Sequence, residues 1–269
     1  MKLSALFLGL SLGVSAALAD EWSYGSPFYT ADLGACLPEQ VDPHFFAVYG
    51  AVYEGGPAKT FLNINADTQR DFASLNKMMT AILAYDRIYG GKAALTDQVV
   101  ISKHAARLRR DKDLPGASVP LSQALSEMGK RSSNLMSVAI AETLAGDEIR
   151  FVNWMNIRAK AIGMKNTAFQ SASGATGFWN LSTPRDLHML AVHLDVLYPQ
   201  YRVLMNQFPV AARQDWTSLQ GKGGFNGQYY SLSVTFSKNV MLANITMTGG
   251  VSHTQMQACM DATAQQFLP

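Results

Sequence analysis

The sequence predicts an α/β domain of the α+β kind, a central antiparallel sheet flanked by helices, with a helical lobe inserted at about 92–170. Three observations carry this. Runs rich in β-branched and aromatic residues stand towards both ends of the chain, and the stretch between them repeats apolar residues at helical spacing. No internal repeat, low-complexity tract or linker separates the two kinds of segment.

Phe45 to Tyr53 reads as a strand, broken by Gly55-Gly56-Pro57, with Thr60 to Ile64 as its hairpin partner. A helix is expected to begin near Ser74, run through Met78, Ile82 and Tyr85, and end at Gly90-Gly91. Val119 to Met128 and Leu135 to Leu144 read as helices. So does Glu148 to Ile162, where Ile149, Val152, Met155, Ala159 and Ile162 recur at helical spacing. Thr183-Pro184-Arg185-Asp186 is a helix start, with Pro at the first position and Asp three residues after a Thr cap. From Tyr230 to Phe236 apolar residues alternate with Ser231, Ser233 and Thr235. Val240 to Met247 follows as a strand ending at Gly249-Gly250, and Thr254 to Phe267 closes the chain as a helix.

The chain of 269 residues opens like an export signal. Met1-Lys2 is a short positive n-region, Leu3 to Leu18 an apolar core, and Ala17-Leu18-Ala19 a small-residue cleavage site before Asp20. The expectation is a periplasmic or secreted protein, cleaved after Ala19, whose residues 20–269 form one domain. No second stretch approaches the roughly 20 apolar residues of a membrane span. The 22 basic and 20 acidic residues give a net charge of +2, which offers nothing to attract nucleic acid. The two cysteines, Cys36 and Cys259, are expected to form one disulfide in an oxidising compartment; the alternative is two buried thiols.

Chemistry enters at Ser74-Leu75-Asn76-Lys77. The three-residue spacing puts hydroxyl and amine on one helical face. A serine hydroxyl is a poor nucleophile near neutral pH, but an adjacent amine can take its proton once burial lowers the amine's pKa. The pattern alone is weak, because Ser and Lys are common. Downstream, Ser132-Ser133-Asn134 precedes an apolar helix. A hydroxyl and an amide presented there can relay a proton and hold a substrate carbonyl, or they can simply cap the helix.

Together these motifs resemble those of the serine D-alanyl-D-alanine carboxypeptidases, the low-molecular-mass penicillin-binding proteins, which carry Ser-x-x-Lys, Ser-x-Asn and Lys-Thr-Gly in that order. The likeness extends to Phe151-Val152-Asn153-Trp154-Met155-Asn156, to Ala161 through Phe169, and to Ser182-Thr183-Pro184-Arg185-Asp186-Leu187. It covers about Phe45 to Phe267. It implies a β-lactamase/DD-peptidase-like fold, with Ser74 the acylated nucleophile, Lys77 its general base, and Ser132 and Asn134 the second-motif pair. It also implies peptidoglycan stem peptides as substrate, β-lactams as inhibitors, and no cofactor or metal.

The third motif departs from the pattern. No Lys-Thr-Gly occurs, and the best candidate is Lys222-Gly223-Gly224, just before the strand at Tyr230. Lys222, Gly223 and Gly224 would then bind the substrate carboxylate without a threonine hydroxyl. The alternative is that Gly221 to Gly224 is only a flexible turn. Val251-Ser252-His253 stands where the family commonly has an arginine after Gly-Gly, and Arg213 is a candidate replacement. The C-terminal sandwich domain and membrane-anchoring helix of many members have no counterpart, so no anchor is expected.

Two other functions compete. A class A-like β-lactamase would share fold and export, but Ser133 stands where Asp is expected and no Glu-x-x-x-Asn segment occurs. A non-enzymatic peptidoglycan-binding scaffold fits the missing threonine but not the intact Ser/Lys pair. Arg107, Arg109, Arg110 and Lys112, interleaved with Asp111 and Asp113, read as a solvated surface. The five histidines lack metal spacing: His188 and His193 are five apart, and no His-Glu-x-x-His exists. The 13 methionines read as core filler.

Overall fold

A computed structural model describes residues 47–53, 57–108, 115–175, 179–201, 218–225, 230–238 and 241–249. The N-terminal signal segment, Cys36, Cys259, Arg109 to Asp113, Arg213, Val251-Ser252-His253 and the closing helix at Thr254 to Phe267 lie outside the described residues.

Strand β1 (Ala47–Tyr53) pairs antiparallel with β2 (Lys59–Ile64), as the hairpin reading expects. Next come the two-residue β3 (Arg70–Asp71), a 3-10 turn at Ala73–Asn76, and α1 (Lys77–Tyr89). Ser74 therefore sits in the tight turn before the α-helix, not in its first turn. The strand β4 (Gln98–Val100), the short α2 (Lys103–Ala106) and β5 (Ser118–Pro120) follow. The helix expected from Val119 begins only at Leu121, because Val119 pairs with Val99 in the β4–β5 ladder. Helices α3 (Leu121–Lys130), α4 (Asn134–Ala145) and α5 (Glu148–Ala161) complete the middle of the chain. After β6 (Leu181–Ser182) and α6 (Pro184–Leu197), three long strands end the described structure: β7 (Ser218–Phe225), β8 (Tyr230–Lys238) and β9 (Met241–Gly249).

Among the described residues the main sheet has five strands in the order β2-β1-β9-β8-β7, every neighbouring pair antiparallel. The early hairpin joins the late strands through β1–β9, so the helices lie between two halves of one sheet in sequence. This is the α+β arrangement that strands at both ends predict.

Apolar contact holds the helices. In α1, Met78, Met79, Ile82 and Leu83 are buried in one core with Leu135, Val138, Ala139, Ile140 and Ala141 of α4. Met78, Met79, Met128, Met155 and Met164 all lie in this core, as filler residues should. Helix α5 turns Phe151, Met155 and Ala159 inward, whereas Ile149, read as part of that stripe, is 78% exposed. Thr183 caps α6 by accepting the Asp186 N–H at 3.1 Å, with Pro184 at its first position.

The sheet face that meets Ser74 is unusual in chemistry. Ser231, Ser233 and Thr235 alternate with Leu232 and Val234, yet both sets are buried. Ser233 and Thr246 hydroxyls lie 2.9 Å apart, and Asn244 Nδ2 donates to Thr235 Oγ1 at 2.8 Å. Cross-strand hydrogen bonds therefore satisfy much of this polar face and let it be covered. In register, Lys222 opposes Ser233 and Gly224 opposes Ser231.

Candidate active site

The 3-10 turn at Ala73–Asn76 presents Ser74 at the head of α1, one residue after Ala73, which takes a left-handed φ of 46°. One helical turn on, Lys77 Nζ donates to Ser74 Oγ at 2.8 Å, to Asn134 Oδ1 at 2.7 Å and to the Ser173 carbonyl at 2.6 Å. The lysine is 0% exposed. Burial disfavours the charged form and pushes its amine down to about 7.

These three contacts decide where the amine's lone pair points. The Asn134 and Ser173 oxygens are carbonyl acceptors, so each must take a proton from Nζ. Ser74 is the only one of the three partners able to donate. When Lys77 loses its proton, the lone pair is left facing the Ser74 hydroxyl.

The second motif resolves the ambiguity between cap and site. Ser133 caps α4, its Oγ accepting the Met136 N–H at 3.2 Å. Its neighbours do something else. Asn134 reaches Lys77, while Ser132, at a left-handed φ of 53°, accepts from Lys222 Nζ at 2.9 Å. Among the described residues only Asn65, Ala73 and Ser132 combine a side chain with positive φ; Ala73 immediately precedes Ser74, and Ser132 meets Lys222. Such backbone costs on the order of 1–3 kcal/mol per residue and persists where surroundings over-determine it.

Lys222 belongs to a strand. The flexible-turn reading of Gly221 to Gly224 is corrected: all four residues lie in β7 and pair with β8, although glycine is a poor strand former. A close approach explains Gly224. A Cβ there would lie 2.5 Å from the Ser74 backbone nitrogen and 3.0 Å from Ala73 Cβ. Strand β7 therefore runs against the Ser74 turn backbone to backbone. Lys222 is 2% exposed and also donates to the Gly223 carbonyl at 2.7 Å. Burial, and then the charge of Lys77, hold its amine well below the usual lysine range. Two buried amines thus share the cleft, one on each hydroxyl.

All seven predicted cleft residues (Ser74, Lys77, Ser132, Asn134, Lys222, Gly223 and Gly224) converge here. What sequence reasoning missed is the stretch 169–174, whose Ser173 carbonyl completes the Lys77 environment. Its Ser-Ala-Ser-Gly composition signals only a loop. Among the described residues no group of three or more His, Cys, Asp or Glu side chains can hold a metal ion. His188 is instead buried beside Tyr53, its Nε2 2.9 Å from the phenol oxygen, and His193 lies 3.2 Å from Arg158.

A serine oxygen facing a buried amine, with a second hydroxyl–amine pair across the cleft, is chemistry suited to acyl transfer. The comparisons agree with that class. The chain belongs to the D-alanyl-D-alanine carboxypeptidase family, peptidase S11, whose sequence profile matches residues 51–222. It is 33% identical over 143 residues to the D-alanyl-D-alanine carboxypeptidase DacF of Bacillus subtilis strain 168, covering 52% of this chain and 37% of that one. It is 32% identical over 167 residues to DacA of Escherichia coli strain K12, covering 59% of this chain and 40% of the relative. The chain thus spans roughly two fifths of the length of these curated relatives. The crystal structure of the carboxypeptidase DacD from Francisella tularensis superposes with a TM-score of 0.71 at 20% identity, over 93% of this chain and 74% of that one. That likeness establishes the DD-peptidase fold. Among the described residues no helix is long and apolar enough to cross a membrane.

Proposed function

We propose that this protein is an exported serine D-alanyl-D-alanine carboxypeptidase acting on peptidoglycan stem peptides. Its residues 20–269 form one catalytic domain into which the helical lobe at about 92–170 is inserted, and Cys36 and Cys259 are joined in the oxidising compartment. The observation that carries the reading is Lys77 Nζ, 2.8 Å from Ser74 Oγ in a fully buried setting that holds the amine near neutrality at about 7.

Ser74 Oγ attacks the carbonyl of the penultimate D-Ala while neutral Lys77 takes its proton. The developing oxyanion forms at the entrance to α1, where backbone N–H groups, that of Ser74 among them, stabilise it. The proton taken by Lys77 reaches the leaving amine through Ser132, with Lys222 behind that hydroxyl at 2.9 Å, so the C–N bond breaks and Lys77 is neutral again. Terminal D-Ala departs, and water hydrolyses the Ser74 ester with Lys77 again as base. β-Lactams acylate the same oxygen and inhibit. The test is D-Ala release from a stem pentapeptide by the full-length protein, with Ser74→Ala as control. Release that survives in the variant, or no release from the wild type under conditions where it is folded, contradicts the proposal.

Gly223 favours a second reading of the same machinery. Where the family pattern places a threonine, this chain has no hydroxyl for a free terminal carboxylate. Substrates whose leaving residue continues into a cross-link lack that carboxylate and lose less, so the site tilts towards endopeptidase action. Equal turnover of a cross-linked dimer and a pentapeptide would support this tilt, and strong pentapeptide preference would remove it.

A further inference from the structure

Residues 169–174 form no regular element, yet side chains from elsewhere meet most of their backbone polar groups. Asn156 accepts the Phe169 N–H at 2.9 Å and donates to the Phe169 carbonyl at 2.8 Å. Asn180 Oδ1 accepts the N–H groups of Gln170 at 2.8 Å and Ser171 at 3.2 Å, while its Nδ2 donates to Ser171 Oγ at 3.2 Å. That hydroxyl in turn accepts the Gly174 N–H at 3.0 Å. Glu148 Oε1 accepts the Ala172 N–H at 2.8 Å, its other oxygen resting on His104 at 2.8 Å.

The carbonyls face the opposite way. Those of Ser171, Ala172 and Ser173 accept, in turn, from Asn76 Nδ2 at 2.6 Å, Thr80 Oγ1 at 2.7 Å and Lys77 Nζ at 2.6 Å. Three successive carbonyls are thus docked on α1 and its entry turn. The loop has no hydrogen-bonded ladder of its own, so its shape depends on the groups that hold its N–H donors. Asn180, 0% exposed, holds both the N–H and the hydroxyl of Ser171, and through that hydroxyl the N–H of Gly174.

We infer that Asn180 is a positioning residue for the Ser74–Lys77 pair: it folds residues 170–174 into the turn that fixes the Ser173 carbonyl on the Lys77 amine. The inference rests on the acyl-transfer reading above. With the Ser173 carbonyl in place, two acceptors fix two amine protons and the lone pair faces Ser74. Without it only Asn134 holds the amine, which is then free to turn its lone pair away. Asn180, Ser171 and Ser173 are buried and expose almost no surface to a ligand, so the defect belongs to the chemical step.

The test compares wild type, Asn180→Ala and Ser171→Ala in the full-length protein, following acylation by a fluorescent penicillin at several concentrations. The milder Ser171→Ala removes only the hydroxyl between Asn180 and Gly174, and it decides the matter if Asn180→Ala does not fold. The acylation rate constant at saturation is expected to fall about 10- to 100-fold in Asn180→Ala, the scale of a misplaced catalytic group, and less in Ser171→Ala. The dissociation constant of the preceding complex stays within about twofold. Hydrogen exchange gives a readout independent of acylation. The Ala172 amide, bonded to neither altered side chain, is expected to exchange about tenfold faster in both variants. An unchanged saturating rate, a defect confined to the dissociation constant, or wild-type exchange at Ala172 overturns the inference. If the wild type itself is never acylated, the acyl-transfer reading fails, and the exchange result still decides whether Asn180 holds the loop.

Discussion

The two lysines of the cleft are held by different kinds of structure. Lys77 rises from an α-helix into three acceptors drawn from the entry turn, α4 and the 169–174 loop. Lys222 stands on β7 between glycines, and its amine donates to Ser132 and to its own neighbour's carbonyl. On the helix side the geometry is set by a hydroxyl, an amide oxygen and a backbone carbonyl around one buried amine. On the strand side it is set by backbone approach, through Gly224 against Ser74. The difference teaches where the chain tolerates departure from its family's pattern. The helix side retains every motif residue, and the strand side has lost a hydroxyl while keeping the lysine and the close-packed glycine.

The largest effect should come from breaking the helix side. Lys77→Met keeps side-chain length but removes the base, and acylation by penicillin should fall by about 10²–10⁴-fold, the usual span for a general base. Retained rate in folded Lys77→Met would transfer the role to Lys222. On the strand side, Gly224→Ala places a methyl 2.5 Å from the Ser74 nitrogen, so turn or strand must shift. Such overpacking costs about 1–3 kcal/mol, and acylation should drop on the order of 10²-fold as Ser74 is displaced. Thermal melting and labelling measured together check both halves.

Titration tests the helix side through the sign of the pH dependence. Burial depresses Lys77 to about 7, so the reactive neutral amine is lost as pH falls below that value. Between pH 7 and pH 5 acylation should decline by roughly tenfold per pH unit. For stability the direction is the same. The unfolded lysine binds protons more readily than the buried one, so stability rises with pH from about 7 towards the ordinary lysine range. A flat acylation profile from pH 5 to 7 would show that Lys77 is not the titrating base. The smallest effect is expected from repair of the strand side. Gly223→Thr restores a hydroxyl for a charge-assisted hydrogen bond of about 1.5 kcal/mol or more, and should speed acylation about tenfold. No change would mean that the carboxylate is bound by another route.

Legibility in the sequence follows the same division. The Ser-x-x-Lys spacing is a helical periodicity, so Ser74 and Lys77 could be placed on one face from the letters alone. The 3-10 geometry at Ser74 could not, because it depends on Ala73 holding a positive φ against β7. Ser132 and Asn134 were ambiguous with capping until Ser133 took the cap. The turn reading of Gly221 to Gly224 stayed open beside the motif reading, since glycine's lack of side chain says only that space is short. What occupies that space is the Ser74 backbone, which is remote in sequence. The two-residue pair β3–β6 and the β4–β5 ladder, which moved the start of α3 to Leu121, are too short for periodicity to reveal. The Ser173 carbonyl was invisible because a backbone acceptor has no signature in composition.

The proposed chemistry requires Ser74 to be the residue that becomes acylated. Mass spectrometry of the protein digested after reaction with a fluorescent penicillin tests this most directly. A single adduct is predicted, on the peptide carrying Ser74 and absent from Ser74→Ala. An adduct on Ser132 or any other residue, or one that persists in Ser74→Ala, would contradict it.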